Sequence, residues 1–476
     1  MMVARSPSKT RPPRPAARAI AAVTAAALSL SSLAARAQTG ANAGIPMIRD
    51  AEIEQLLRDY TTPIFRVAGL SDQNVHVVII EDKSFNAFVM DAHRIFVNVG
   101  ALMEATTPNQ LIGVFSHECG HIVGGHLSKL RQELANVQTA SLIGMLLGAG
   151  ALVAGAHSGS VDMGNVGMAA IMGPQAAGLN RILSYQRAQE ESADRAGVRF
   201  LTLTGQSAKG MYDTFKRFAD ESMFSSQGTN PYAQNHPMPE ERMAALAELV
   251  KTPYWDRQDP PELQLRHDMM RAKLYGFIER PATVLAHYPL SDTSLPARYA
   301  RAISAYRFGD PRSAMAQIDS LIGAMPNNPY FYELKGQALL ESGHAADAVA
   351  PLRRAVQLAP SPALIQILLA QALVGTNDPK LSEEAVPLLR AAILKEPESG
   401  DAYTTLAMAY GRKNDLADAD LASAQAAFAR GDNKTARELA ERAKQRFPIG
   451  SPGWVRADDI VAFNRNQKQN PLFSGQ

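Results

Sequence analysis

The chain has 476 residues, which is too many for one hydrophobic core and predicts two or three domains. Its 46% apolar and 20% charged residues are the composition of a soluble globular protein. Residues 1–37 hold six basic side chains and no acidic one, so the formal charge of +2 leaves 42 basic against 46 acidic residues in the remainder. A remainder with net charge −4 and no basic patch excludes a nucleic-acid-binding protein.

The N-terminus has the three parts of a secretory signal peptide. A basic segment runs to Arg18, an uncharged apolar run covers 19–33, and Ala35-Arg36-Ala37 offers small residues for cleavage after Ala37. The alternative is a membrane anchor, but the apolar run is shorter than the ~20 residues that a span needs. We therefore expect export to the periplasm. The single cysteine, Cys119, excludes an intramolecular disulfide.

Short elements precede the first long helix. Apolar periodicity predicts a helix at 50–60, strands at 75–80, 86–89 and 94–99, and a helix at 108–130. The Gly- and Ala-rich stretch 140–156 has the length of a short membrane span. It could instead form a flap beside the helix at 108–130 or part of the core. We favour a small-residue helix or hairpin and expect membrane contact through 140–174.

Residues 117–121 read His-Glu-Cys-Gly-His. On a helix, residues four apart share a face, so His117 and His121 can bind one metal ion. Glu118 lies beside that ion, and a metal lowers the pKa of water toward ~7, so a carboxylate suffices as the general base. A sequence of this kind also arises by chance, so the motif alone does not exclude an ordinary surface helix.

A second helix, predicted over 180–203, carries Glu190 and Asp194 on one face. One carboxylate can complete a tetrahedral metal site, and the other can support a ligand histidine from behind. The spacing does not decide which residue has which role. Taken alone, such a pair is also typical of a solvated helix face.

The C-terminal third repeats small residues and prolines with the 34-residue period of a tetratricopeptide repeat. Pro326 and Pro360 keep this phase, and it returns at Pro397 after three extra residues near 377–379. Small residues allow the two helices of each pair to approach, and proline stops the second helix. The pattern predicts an all-α solenoid that presents a surface to protein partners. The alternative is an unrelated Ala-rich bundle.

Four segments resemble the zinc metallopeptidase family that contains the CAAX prenyl endopeptidases and the bacterial HtpX protein. Within that family, the chain is similar to the periplasmic type with tetratricopeptide repeats, over roughly residues 45–450. The segments are Asn86-Ala87-Phe88, residues 117–126 with the extra His126, Glu190 with Asp194, and His236-Pro237 followed by Arg242.

The resemblance implies one zinc ion per chain, held by His117, His121 and Glu190, with Glu118 as the base. It implies that Asp194 orients a ligand histidine.

The resemblance also implies that Asn86, Ala87 and Phe88 form an edge strand on which a substrate backbone can pair. His236 is given a catalytic, metal-side role that has two forms. It either stabilises the oxyanion of the substrate or fills the fourth position on the zinc and holds the enzyme inactive. Gly124-Gly125 departs from the larger side chains of the family and is expected to loosen the end of the helix.

We therefore expect an α+β, mostly helical chain: a zincin-type peptidase domain with a small sheet, followed by an all-α tetratricopeptide-repeat solenoid. The predicted divisions are a signal peptide at 1–37, the peptidase domain at 45–261, linking helices at 262–296, repeats at 297–450 and a tail at 451–476. A three-histidine metzincin is excluded, because it needs a histidine six residues after His121 and His126 comes five after.

The predicted function is a periplasmic zinc endopeptidase that degrades misfolded or stalled envelope and outer-membrane proteins. Its repeats would bind partners, the outer-membrane assembly machinery among them, and would support chaperone activity. The alternative is a chaperone or assembly scaffold whose peptidase site is normally held inactive.

Overall fold

The computed structural model describes residues 46–70, 75–139, 142, 145, 161–224 and 230–469, and for 161–180, 223–224 and 464–469 it describes the helical backbone alone. The predicted signal peptide and most of the apolar stretch at 140–156 lie outside these residues. Ile48–Gln476 form one compact unit. Within the described ranges, no helix combines the length and the apolar character that a membrane span requires.

The N-terminal part begins with a helix and a small sheet. Helix α1 (Ala51–Val67) starts at Asp50, whose side chain accepts a hydrogen bond from the Ile53 amide at 2.9 Å. The strands are β1 (Met47–Ile48), β2 (His76–Ile80), β3 (Ala87–Val89) and β4 (Arg94–Asn98). Their order is β1-β2-β4-β3; β4 is parallel to β2 and antiparallel to β3. Strand β3 therefore lies at the edge of the sheet.

Helices cover this sheet and carry the chemistry. They are α2 (Val99–Glu104), α3 (Pro108–Gly124), α4 (Val161–Leu203), α5 (Lys209–Phe224), α6 (Pro231–Asn235) and α7 (Glu240–Leu249). The prediction of one helix over 108–130 is wrong. Helix α3 ends at Gly124 because Gly125 has φ 61°, a left-handed cap that favours glycine, and helical structure resumes over 126–139.

One core joins α1, the sheet, α3 and α5. Its largest members that are almost fully buried include Ile53, Tyr60, Ile64, Phe115, Phe215 and Phe218. Helices α3 and α4 cross closely because Gly120 has no side chain: a Cβ there would lie 2.8 Å from the carbonyl oxygen of Ala193. This close crossing fixes the two helices that bear the candidate ligands.

The rest of the described chain is helical. The helices are α8 (Pro261–Ile278), α9 (Pro281–His287), α10 (Leu295–Phe308), α11 (Pro311–Ala324), α12 (Pro329–Glu341), α13 (Ala345–Leu358), α14 (Ala363–Gly375), α15 (Pro379–Lys395), α16 (Gly400–Arg412), α17 (Leu416–Ala429), α18 (Asn433–Arg446) and α19 (Pro452–Gln469). Helix α19 occupies much of the predicted tail and packs on α18 through Ala457, Ile460 and Val461.

The predicted solenoid is confirmed. Pro326, Pro360 and Pro397 each stand two residues after the second helix of a pair ends. The small residues at the repeat positions are buried between the helices, among them Ala314, Ala348, Ala355, Ala385 and Ala392. The three extra residues lengthen α15, which has 17 residues where α13 has 14.

Charged side chains join the first residues of the unit to the later helices. The ammonium of Lys273 on α8 is buried and lies 2.7 Å from Asp50 and 3.2 Å from Glu52. Arg49 donates two hydrogen bonds to Glu396, at 2.8 and 2.9 Å, at the end of α15.

Candidate metal centre

Three elements bring the predicted site residues together. Helix α3 supplies His117, Glu118 and His121, helix α4 supplies Glu190, and the residue after α6 is His236. All five side chains are buried, although each carries a polar or ionisable group. Buried groups of this kind require partners or a metal ion, because burial of an unpaired charge is unfavourable.

The spacing of the ligand atoms fits a tetrahedral ion. Nε2 of His117 lies 3.0 Å from Nε2 of His121 and 3.3 Å from Oε2 of Glu190, which in turn has its Oε1 3.5 Å from His121. Nδ1 of His236 lies 3.3 Å from Nε2 of His117 and 3.1 Å from Glu190. Tetrahedral zinc with bonds of about 2.0–2.1 Å separates its ligand atoms by about 3.3 Å. The four residues therefore fit one such ion, with one atom from each.

Glu118 lies next to the candidate ligands. Both of its carboxylate oxygens are buried. Oε1 lies 3.4 Å from Nε2 of His236. Burial raises the pKa of Glu118, against the positive influence of His236 and His117. A raised pKa brings a carboxyl nearer to the range in which a general base works at neutral pH.

Asp194 and Arg242 support the ligands from behind. Oδ1 of Asp194 lies 3.0 Å from Nδ1 of His117, the nitrogen that faces away from Glu190. Arg242 donates two hydrogen bonds of 2.8 Å to Asp194 and lies 2.9 Å from Glu190. Although burial opposes it, Arg242 together with His117 keeps the pKa of Asp194 below its usual value. The arginine thus keeps Asp194 ionised beside the histidine.

The same neighbours set the charge of the groups around Glu190. Burial would raise the pKa of Glu190, but His236, His117 and Arg242 hold it well below its usual value. Burial would lower the pKa of His117, yet Asp194 and Glu190 raise it to about 9 when no ion is bound. A cation that binds here meets an ionised carboxylate and must displace a proton from His117.

The predicted substrate strand lies at the sheet edge. Ala87 and Phe88 belong to β3, whereas Asn86 precedes it. The carbonyl of Asn86 accepts a hydrogen bond from the amide of Asn98 at 3.0 Å, and its side chain contacts Asn235, next to His236. Cys119 is buried, and burial raises the pKa of its thiol to about 12, which fits a core residue.

Two groups near the ligands were not predicted to have a role. Arg242 was noted only as part of a motif, and Tyr232 was not singled out. The hydroxyl of Tyr232 is buried beside Glu118, and its hydrogen bond opposes the rise in the pKa of that carboxyl. The ring centroid of Tyr232 lies 4.6 Å from that of His236. A lone arginine or tyrosine has no local sequence signal, because its partners come from distant helices.

A metal-binding group of this kind, beside a buried carboxylate and a sheet edge, is typical of a metalloprotease. Residues 48–250 match the model of Peptidase family M48. This match confirms, over residues 48–250, the family resemblance predicted from the sequence, and it supports a metalloprotease.

The similar proteins extend beyond this domain. The Beta-barrel assembly-enhancing protease of Yersinia pestis is 23% identical over 426 residues, which cover 87% of this chain and 84% of the relative. The protein of that name from Escherichia coli (strain K12) is 23% identical over 423 residues, or 87% and 83%. Among solved structures, MamA 41-end from Desulfovibrio magneticus RS-1 is 18% identical, covers 37% of this chain and 97% of its own, and has a TM-score of 0.29, which is too low to support an argument.

Proposed function

We propose that this chain is a periplasmic zinc endopeptidase that degrades misfolded or stalled outer-membrane proteins. The observation that carries the proposal is the group of four candidate ligand atoms, all within 4.8 Å of one another, beside the buried carboxylate of Glu118. The outer-membrane substrate class is supported by the name of the relatives, which links them to β-barrel assembly.

In this proposal His117, His121 and Glu190 hold zinc. Zinc held there would supply Lewis acidity to a peptide carbonyl and to water. Glu118 takes a proton from the attacking water and delivers it to the leaving amine, so the peptide C–N bond breaks to a carboxylate and a free amine. The edge strand β3 pairs with the substrate backbone, as extended peptides do with open sheet edges.

The test distinguishes the role of Glu118 as the base from the role of Glu190 as the third ligand. Glu118→Gln should abolish hydrolysis of unfolded casein and leave the zinc content unchanged, because the ligands remain. Glu190→Ala should lower the zinc content. Glu191→Ala is the matched control, since its half-exposed side chain contacts only Arg195 among the described ion pairs, and it should change neither quantity. Undiminished turnover by Glu118→Gln would refute the base, and full zinc occupancy in Glu190→Ala would place the third ligand elsewhere.

His236 belongs to the proposal as a restraint on the site. Its Nδ1 stands at the spacing of a fourth ligand, which supports the form in which it fills that position and keeps the enzyme inactive. In the alternative form, His236 stabilises the oxyanion of the substrate.

The two forms predict opposite results for His236→Ala. Loss of the restraint should raise basal cleavage, including self-cleavage. Loss of an oxyanion partner should slow turnover by a factor on the order of 10²–10³. Activity equal to that of the unmodified chain would contradict both forms.

The division into a peptidase domain at 45–261, linking helices at 262–296, repeats at 297–450 and a tail at 451–476 is part of this proposal, as is export with cleavage after Ala37. The repeats would select partners, such as the outer-membrane assembly machinery. The second candidate, a scaffold with an inactive site, is favoured by the position of His236. It predicts that the zinc-loaded chain keeps an unfolded β-barrel protein soluble without cleaving it.

A further inference from the structure

The turn after α3 folds the chain back onto the last residues of that helix. Gly125 adopts φ 61°, and the next residue, His126, places its ring directly over Gly124. A Cβ at Gly124 would lie 2.1 Å from Nε2 of His126, so a residue with a side chain cannot occupy this position with the ring in place. The two glycines end the helix, and Gly124 in addition makes room for a buried imidazole.

This imidazole contacts a candidate ligand. Nδ1 of His126 lies 3.0 Å from Nδ1 of His121, and the two rings stand at 85° with centroids 5.0 Å apart. The other nitrogen of His121 faces the ligand atoms, 3.0 Å from Nε2 of His117. His126 therefore touches the side of His121 that points away from the metal site.

Metal binding at His121 would determine which of the two histidines donates the hydrogen bond. A nitrogen that binds a metal carries no proton, so the remaining proton of a ligand imidazole sits on the opposite nitrogen. His121 must then donate from Nδ1, and His126 must accept at Nδ1 and keep its own proton on Nε2.

A second contact fixes His126 to the helix that bears the third ligand. The side chain of Gln189 donates a hydrogen bond of 3.1 Å to the carbonyl oxygen of His126, and Gln189 precedes Glu190 on α4. Both side chains are buried. The path from His121 through His126 and Gln189 therefore links two of the three ligands without passing through the ion.

We propose that His126 is a positioning residue of the metal site, which fixes the tautomer and the ring orientation of His121. It does for His121 what Asp194 is placed to do for His117, with a neutral imidazole in place of a carboxylate. The inference rests on the metal site of the proposed function. Removal of such outer partners costs 10–100-fold in metal affinity.

The test measures the zinc dissociation constant of the full chain by competition with a chromophoric chelator. His126→Leu removes the acceptor but keeps apolar bulk, and it should weaken zinc binding by about 10–100-fold. His126→Asn places an amide oxygen near the position of Nδ1 and should recover most of the affinity. Gly124→Ala displaces the ring by steric clash and should lower the affinity although the imidazole remains.

The control is another buried histidine, His267 on α8. His267 bonds the carbonyl of Ala105 at 2.8 Å and the hydroxyl of Tyr60 at 3.0 Å, and it contacts none of the ligands. His267→Gln should lower the melting temperature without a change in zinc affinity. This control separates loss of stability from loss of positioning.

Two results would overturn the inference. One is a zinc affinity of His126→Leu, or of Gly124→Ala, equal to that of the unmodified chain. The other is an Asn variant that binds zinc no better than the Leu variant while both unfold at the temperature of the unmodified chain. An unmodified chain that binds no zinc would instead contradict the metal site of the proposed function.

Discussion

Replacement of Arg242 by methionine should destabilise the peptidase domain more than any exposed ion pair could explain. The guanidinium is buried and donates two hydrogen bonds of 2.8 Å to Asp194 and one of 2.8 Å to the carbonyl of Pro237, and it lies 2.9 Å from Glu190. Methionine keeps the bulk but removes the guanidinium from two buried carboxylates, which then have His117 as a shared partner. Removal of one partner of a buried ion pair costs about 3–5 kcal/mol.

The assay is urea unfolding followed by circular dichroism, in EDTA and again with zinc. In EDTA we expect the full loss, whereas zinc should reduce it because the ion supplies positive charge beside Glu190. Arg242→Lys keeps the charge but not the planar fork, and it should fall between the two. Arg266→Met is the matched control: the pair of Arg266 with Asp59 is exposed and should contribute at most about 1 kcal/mol.

The effect of Arg242 should also depend on pH. The pKa of Asp194 lies below its unfolded value, so this group contributes stability at neutral pH that is lost as the pH falls through the folded pKa. Arg242→Met removes that contribution, and the two proteins should therefore converge in stability at acidic pH. The reasoning is refuted if Arg242→Met and Arg266→Met lose the same stability in EDTA.

Three further outcomes follow from particular contacts. Burial raises the pKa of Glu333 to about 8, above its unfolded value of about 4.3, so stability should fall as the pH rises between these two values. Glu333→Gln should flatten this part of a plot of urea midpoint against pH, and an unchanged slope would contradict the prediction. Gly120→Ala should lower the free energy of unfolding by about 1–3 kcal/mol because its methyl group meets the backbone of Ala193. Gly323→Ala, with nothing within 4 Å of the added Cβ, should raise it by about 0.5–1 kcal/mol. Melting temperatures that shift in the same direction for both variants would contradict this. Chelation should lower the unfolding free energy by about 2.7 kcal/mol relative to zinc at a hundredfold excess over its dissociation constant, and an unchanged melt would argue against the metal site.

The parts of the fold that follow local periodicity were predictable. The 3.6-residue period is enough to place His117 and His121 on one face of a helix, and the 34-residue period is enough to locate the repeat helices. Pro326 and Pro360 end their helices by a local steric effect, so their consequence is visible without the tertiary structure.

Roles that depend on the crossing of distant elements were not predictable from spacing. Glu190 and Asp194 share one face of α4, and only the crossing of α4 against α3 places Glu190 near both histidines and Asp194 behind His117. The family resemblance made this distinction where the spacing could not. The need for glycine at position 124 was also not predictable. It depends on the ring of His126, which contacts Gly124 only because the chain turns at Gly125.

The bond from Arg49 to Glu396 has a consequence for the order of folding. It joins residues 347 positions apart, so a chain that emerges N-terminus first cannot form it until the repeat helices up to α15 exist. Contacts of such long range carry the loop-closure cost of the whole intervening chain and form late. The residues of the metal site can meet earlier, since all of them lie between 117 and 242. The contact between Arg49 and Glu396 should therefore form after the metal site while the chain is being made.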